Sequence, residues 1–373
     1  MSGQQSDATD DRERTAGATE TLGREVAITG YGVDVPDEVV TGAEIAAASG
    51  IPEEVVVEKM GVREKRVAGE DDHVTDMSVR AGRRALADAG LDAGDLDLVL
   101  FHGSEFKDYV VWSAAANVAE RLGADEAYAH ESYALCAGAP IALRHTAAQL
   151  RVGDVDRALL VTASREEDLV DYGNEDSSFM FNFGSGGSAL VVEAVPDAPA
   201  EAAGPAATVS ERSRGRVRES AAVTDGSFSL DVVMPAGGSK RPPSHETVEA
   251  GEHTLDVPDP DDMKERLADV SAPAFLSVAD EALAKSGYDR AALDFVALTH
   301  MKRSFHDYLL GELGLDEAGG YYLDEFGHVQ SADQTLALDR GIDLGRVESG
   351  DLVLFLAAGT GYTWAATVIE WRG

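Results

Sequence analysis

Cysteine is almost absent from this chain: Cys136 is the only one in 373 residues. A single thiol forms no internal disulfide and rules out metal sites built on several thiolates. Positive charge is scarce as well. The chain has 31 Lys and Arg, only 7 of them Lys, against 68 Asp and Glu, for a formal net charge of −37. Nucleic acids and anionic membranes both demand a positive footprint, so neither is an expected partner. The acidity runs along the whole chain and resembles that of halophilic proteins, whose solvent screens charge within about 3 Å at 1 M salt. Long apolar runs are missing too: no stretch of about 18 residues could span a bilayer. The N-terminal segment 1–25, "MSGQQSDATDDRERTAGATETLGRE", has no apolar signal core and reads as a disordered acidic tail. A cytoplasmic protein is expected.

What is present is alternation. From Val26 onward, β-branched runs such as "VAITGYG", "LDLVLFHG" and "LVLFLAAG" alternate with helical patterns, which argues for α/β layers. The chain also echoes itself. Residues 78–100 align without gaps on 275–297, with eight identities in 23 positions: Ala85, Leu86, Ala87, Gly90, Asp92, Leu96, Asp97 and Val99 recur as Ala282, Leu283, Ala284, Gly287, Asp289, Leu293, Asp294 and Val296. Each copy reads as an amphipathic helix, a glycine C-cap, a turn and a buried strand. Two distant copies point to a duplicated unit rather than a solenoid. The expected halves are 26–200 and 201–373, with the Ala/Pro-rich stretch 195–210 as the connection. The Gly/Pro-rich stretch 236–262 reads as a long loop.

The lone cysteine sits in "ESYALCAGAP". A strand-like run precedes it, and "AGAPIALRHTAAQLRVG" follows as a helix ending at Gly153. A thiol at a strand-to-helix turn meets unpaired amides and the positive end of a helix dipole, which favour a thiolate. Its small neighbours leave room for a carbonyl group and let backbone N–H groups approach an oxyanion. On position alone, a buried inert cysteine fits as well as a nucleophile does.

"ALCAGAPIAL", together with "GVREKRV" (61–67), "THMKRSFHDYLLGELGL" (299–315) and "AAGTGYTWAATVIEW" (357–371), resembles the β-ketoacyl synthase III branch of the thiolase superfamily. The resemblance extends from Val26 to Gly373 and fits the internal echo. It implies a thiolase-like duplicated αβαβα five-layer fold, normally a homodimer, and an acyltransferase of fatty acid metabolism with no tightly bound cofactor. Acyl-CoA or an acyl carrier protein would be its substrate and partner. By the same resemblance Cys136 is the acyl-accepting nucleophile. His300, in "ALTHMKRS", matches the active-site histidine that would hold the thiolate and then donate to an enolate oxygen. The backbone N–H groups of Cys136 and Thr360 would form an oxyanion hole. Gly359 lies in the same "AGTGYTW" run, and Phe183 opens "FGSGGSAL", which matches a turn near the active site. Lys302 and Arg303 form a small basic spot that could meet a phosphate or an acidic carrier.

The sequence departs from the family in places. The family asparagine that stabilises the enolate after malonyl decarboxylation is replaced by His328, in "EFGHVQSAD". This casts doubt on decarboxylative condensation and makes transfer to another nucleophile, or condensation with a different carbon acid, more plausible. Glu105 falls where hydroxymethylglutaryl-CoA synthase carries its general acid, which raises an aldol-type alternative; pairing with Lys107 or exposure to solvent is the plainer reading. The coenzyme A-stacking tryptophan and its arginine partner align with Val55 and about Ser177, neither of which can stack on a purine. A non-catalytic partner subunit of an active thiolase-like protein is the remaining alternative. The loops around 104–112, 170–182 and 236–262 are expected to shape the pocket.

Overall fold

The structure, a computed structural model, describes residues 23–195 and 208–373. Residues 1–22 of the expected tail and 196–207 of the expected connection lie outside the described residues. Eleven strands are found among the described residues: β1 (Val26–Asp34), β2 (Val39–Thr41), β3 (Glu64–Arg66), β4 (Leu98–Gly103), β5 (Tyr128–Tyr133), β6 (Arg157–Ser164), β7 (Gly186–Ala194), β8 (Gly215–Thr224), β9 (Phe295–Leu298), β10 (Leu352–Gly359) and β11 (Thr363–Trp371). Strands β2 and β3 form a small ladder. The other nine make one sheet in the order β5-β4-β6-β7-β1-β8-β11-β10-β9.

Pairing repeats across the β1–β8 junction. In the first five strands, β4 runs parallel to β6, β6 antiparallel to β7, and β7 antiparallel to β1. In the last four, β9 runs parallel to β10, β10 antiparallel to β11, and β11 antiparallel to β8. Beyond β4 lies β5, in parallel register; beyond β9, a single parallel bridge from Val296 to Gly320 takes the corresponding place. The echoed segments coincide in form. Helix Val74–Ala89 ends on left-handed Gly90 and leads through a short turn into β4; helix Pro260–Ser286 ends on left-handed Gly287 and leads likewise into β9.

Five layers follow from which faces are apolar. Helix Val74–Ala89 buries Val79, Ala81, Ala85 and Leu86 against one face of the first half-sheet, with Val99, Phe101 and Val191 opposite. Helix Pro260–Ser286 does the same with Phe275, Val278, Ala282 and Leu283 against Val296, Leu354 and Val368. Between the half-sheets lie helices Gly138–Val152 and Asp333–Asp343. Their Ala142, Leu143, Leu336 and Leu338 share one core with Leu100, Leu190, Phe355 and Ile369. Strands covered on both faces read as continuous apolar runs rather than alternating ones, as "ALLV" in β6 and "LVLFLA" in β10 do. The two middle helices carry the site: one begins just after Cys136 and the other begins at Asp333.

Candidate active site

Strand β5 ends at Tyr133, and the chain turns sharply before the helix that starts at Gly138. Leu135 takes a left-handed backbone, φ 49°. A β-carbon makes that conformation costly by about 1–3 kcal/mol, so the surroundings must enforce it. The enforcing contact comes from the other half of the chain. A Cβ on Gly359, at the end of β10, would lie 3.0 Å from Ala137 N, 3.2 Å from Cys136 N and closer still to the Ala134 carbonyl oxygen. Only a residue with no side chain lets β10 approach the nucleophile's backbone this closely. Cys136 itself is 5 % exposed.

Its partner is His328. Nε2 of His328 lies 3.0 Å from Cys136 Sγ, and Nδ1 lies 2.6 Å from Asp333 Oδ2. Asp333 is fully buried and accepts two backbone N–H bonds as well, from Val329 at 2.7 Å and His300 at 2.7 Å. Three donors on one carboxylate fix its position. Asp333 in turn fixes the tautomer: Nδ1–H points at the carboxylate, and Nε2 faces the sulfur. Burial alone would push the His328 imidazole down, but the Asp333 carboxylate and the Cys136 sulfur raise it well above its ordinary value. Nucleophile, base and orienting carboxylate therefore stand in one hydrogen-bonded line.

The contact expected of His300 thus belongs to His328. His300 follows β9, is buried, and its ring makes no hydrogen bond at either nitrogen. Burial, followed by the charges of His328 and His306, holds it well below its ordinary value, so it is neutral. Both histidines, Cys136, Phe183, Lys302 and Thr360 line one cavity of about 290 Å³, at the small end for ligand clefts. Its remaining wall is largely apolar: Met60, Phe179, Leu267, Phe275, Met301 and Phe305. The Phe183 ring meets the His328 ring edge-on at 5.1 Å.

Other sequence candidates stand elsewhere. The Arg303 side chain turns to Glu317 and Asp307, at 3.2 Å and 3.3 Å, instead of entering the cavity. Glu105 is exposed and does not line the cavity. Lys107 pairs at 2.6 Å with Glu131 of β5, leaving Glu105 to solvent. Of the three loops expected to shape the pocket, only the middle one contributes, through Phe179 and Asn182; the wall facing it comes from helix Pro260–Ser286, not from 236–259.

Three residues escaped the sequence reading. Asp333 follows His328 by five positions, a spacing that could have been noticed, but an Asp opening a helix also reads as a simple N-terminal charge. Asn182 lines the cavity and gave no signal. Glu166 is buried and bonded to the side-chain amide of Gln330, which takes a left-handed φ of 53° on the turn between His328 and Asp333. Burial raises its carboxyl, with a bond from Ser104 and the His328 charge opposing. The next residue, Ser331, bonds His102 Nδ1 at 2.6 Å, and its hydroxyl fills the space a side chain on Gly138 would need.

A duplicated five-layer α/β chain with a cysteine at the head of a middle helix and a histidine facing it defines a thiolase-like acyl-transferring enzyme. Family models for 3-oxoacyl-[acyl-carrier-protein] synthase III match residues 131–217, and those for its C-terminal part match 283–371. β-Ketoacyl-[acyl-carrier-protein] synthase III of Erythrobacter litoralis is 29 % identical over 349 residues, 92 % of this chain and 99 % of that one. The Chlamydia caviae protein of the same name is 26 % identical over 348 residues, 93 % and 97 % of the two chains. Among solved structures, the priming β-ketosynthase of the R1128 polyketide pathway superposes with a TM-score of 0.77 at 26 % identity, over 94 % of this chain and 97 % of that one. Over nearly its whole length the chain is similar to 3-oxoacyl-[acyl-carrier-protein] synthase III proteins, and it is an acyltransferase.

Proposed function

We propose that Cys136 takes an acyl group from a coenzyme A or carrier-protein thioester, holds it as a thioester, and passes it to a second substrate bound in the same cavity. The observation that carries this reading is the Cys136–His328–Asp333 line, at 3.0 Å and 2.6 Å. In the first step His328 holds the proton from Cys136, and Sγ attacks the donor carbonyl. The amides of Cys136 and Thr360 receive the oxyanion, an arrangement supported by the close packing of Gly359 on this turn. As the tetrahedral adduct collapses, the carrier thiolate leaves and takes the proton from His328. One thioester is exchanged for another, and atoms and charge balance.

Acylation also changes the base. Part of what holds the His328 proton is the negative charge on sulfur. Once that charge is gone, the ring is raised by Asp333 alone and holds its proton less firmly; having passed that proton to the leaving thiolate, it presents an Nε2 lone pair to an incoming nucleophile. Lys302 at the cavity wall supports a phosphate-bearing or acidic carrier. Glu105, outside the cavity, lacks the position an aldol-type acid needs, and the assembled Cys136–His328–Asp333 line speaks against a non-catalytic subunit. Intact-mass spectrometry after mixing with hexanoyl-CoA tests the proposal. A single hexanoyl adduct is expected, and none on Cys136→Ala; an unmodified wild-type chain would sink it.

The same reading includes a homodimer. Strand β5 is a sheet edge with Tyr128 and Tyr133 exposed, and the loop that follows β4 exposes Tyr109, Val110 and Val111. An open strand edge beside exposed apolar side chains invites pairing with a second copy. Sedimentation equilibrium should return twice the chain mass; a single-chain mass at micromolar concentration rules the dimer out.

A further inference from the structure

Two side chains in the Cys136 cavity are buried with hydrogen-bonding atoms left open. Neither ring nitrogen of His300 has a partner, and neither does Oδ1 of Asn182. His300 is 4 % exposed and Asn182 7 %, and both line the cavity that holds Cys136 and His328. Buried polar atoms without partners are uncommon in folded proteins, and several converging on one cavity point to a ligand that completes them. Among the other polar groups of the wall, Thr299 Oγ1 accepts from Gln334 at 3.0 Å, while Lys302, Ser271, Thr360 and Tyr362 stand around the same cavity.

The chemistry of the open atoms restricts the ligand. A neutral imidazole offers one N–H and one lone pair, and an amide oxygen offers only lone pairs. A ligand satisfying them must donate at least once and also accept. A malonyl carboxylate only accepts, so it would leave the Asn182 oxygen without a donor. A hydroxyl group both donates and accepts, and carries no charge into this cavity.

We infer that Asn182 and His300 form an acceptor subsite for a neutral hydroxyl compound, and that the second half-reaction is O-acylation rather than decarboxylative condensation. The inference rests on the acyl-Cys136 reading. His328 fits the step: with Nδ1–H donated to Asp333, its Nε2 presents a lone pair, which an O–H nucleophile needs and an enolate oxygen does not. The acceptor oxygen attacks the acyl-Cys136 carbonyl as its proton passes to Nε2. The new C–O bond forms, the C–S bond breaks, and Cys136 leaves as thiolate beside imidazolium. Over the full cycle, thioester and alcohol give ester and free thiol, with no oxidant or further reactant.

The test begins with enzyme loaded by hexanoyl-CoA and verified by intact mass. Glycerol or methyl glucoside is then added, or malonyl-CoA, and adduct loss is followed along with ester and CO₂. The polyols should discharge the adduct about tenfold faster than buffer does, with a hexanoyl ester as product, and malonyl-CoA should release no CO₂. In Asn182→Leu the half-saturating polyol concentration should rise by about tenfold, the usual scale for one lost hydrogen bond, with a smaller change in the maximal rate. The hexanoyl adduct, still formed by that variant, shows that it is folded. Polyols that leave discharge at its rate in buffer overturn the inference, as does CO₂ release with a β-ketoacyl product. A missing adduct on the wild type overturns the acyl-enzyme reading beneath it, so the two failures are told apart before any acceptor is added.

Discussion

Asp333→Asn should lower steady-state acyl transfer by roughly 10³–10⁴-fold, the scale seen when the orienting carboxylate of a nucleophile–histidine pair becomes an amide. Three effects act together. The amide can present its N–H₂ to Nδ1, which inverts the His328 tautomer and turns Nε2 from base to donor. It cannot accept from His300 N, Val329 N and His328 Nδ1 as the carboxylate does. It also removes the charge that helps raise His328. The His328 imidazolium is then held less firmly, and the limb of the acyl-transfer pH profile set by His328 should move to lower pH. Stability follows the same sign. His328 is raised in the folded state, so its contribution is complete below about pH 6.5, its unfolded value, and is lost as pH rises through the folded one. The stability gap between wild type and variant should therefore narrow on the alkaline side. Acyl-transfer rates and urea midpoints across pH measure both; an unshifted rate profile would remove Asp333 from the mechanism.

Gly359→Ala is the second severe substitution. The added methyl meets backbone atoms of Ala134, Cys136 and Ala137, which cannot rotate aside as a side chain can. Either β10 retreats from the turn or Leu135 abandons its left-handed backbone. Both outcomes disturb the turn whose Cys136 amide, with that of Thr360, is proposed to receive the oxyanion. Losing one oxyanion donor costs about 10²–10³ in rate, and the overpacking costs about 1–3 kcal/mol of stability. The thiol-release burst with hexanoyl-CoA should fall by that factor while the fold survives by circular dichroism. A burst of normal size would show that this approach does not set the geometry of the oxyanion hole.

Much of this arrangement is legible in the sequence, for physical reasons. Gly90 and Gly287 mark two helix ends because only glycine enters the left-handed region freely. Cys136, His300 and His328 stand out because their neighbours are motifs rather than single letters. What stays hidden depends on distance along the chain. Asp333 reads as an ordinary helix start until the fold brings His300 N and His328 Nδ1 onto it. Glu105 looks like an acid near the nucleophile in sequence, but Lys107 chooses Glu131 and the loop turns Glu105 outward. The family pattern gives the thiolate to His300; the sequence holds both histidines and does not say which ring reaches sulfur. Asn182 shows nothing until its oxygen is found buried without a partner.

The contact of Ser331 with Gly138 has a consequence for how such a chain can change. Ser331 lies in the second half, Gly138 opens the helix after the nucleophile in the first, and His102 holds the serine in place. Position 138 is thus limited by its opposite number as well as by its own backbone. Drift in one half is admissible only with an answering change in the other, so the two halves, however alike in origin, have lost the freedom to diverge independently.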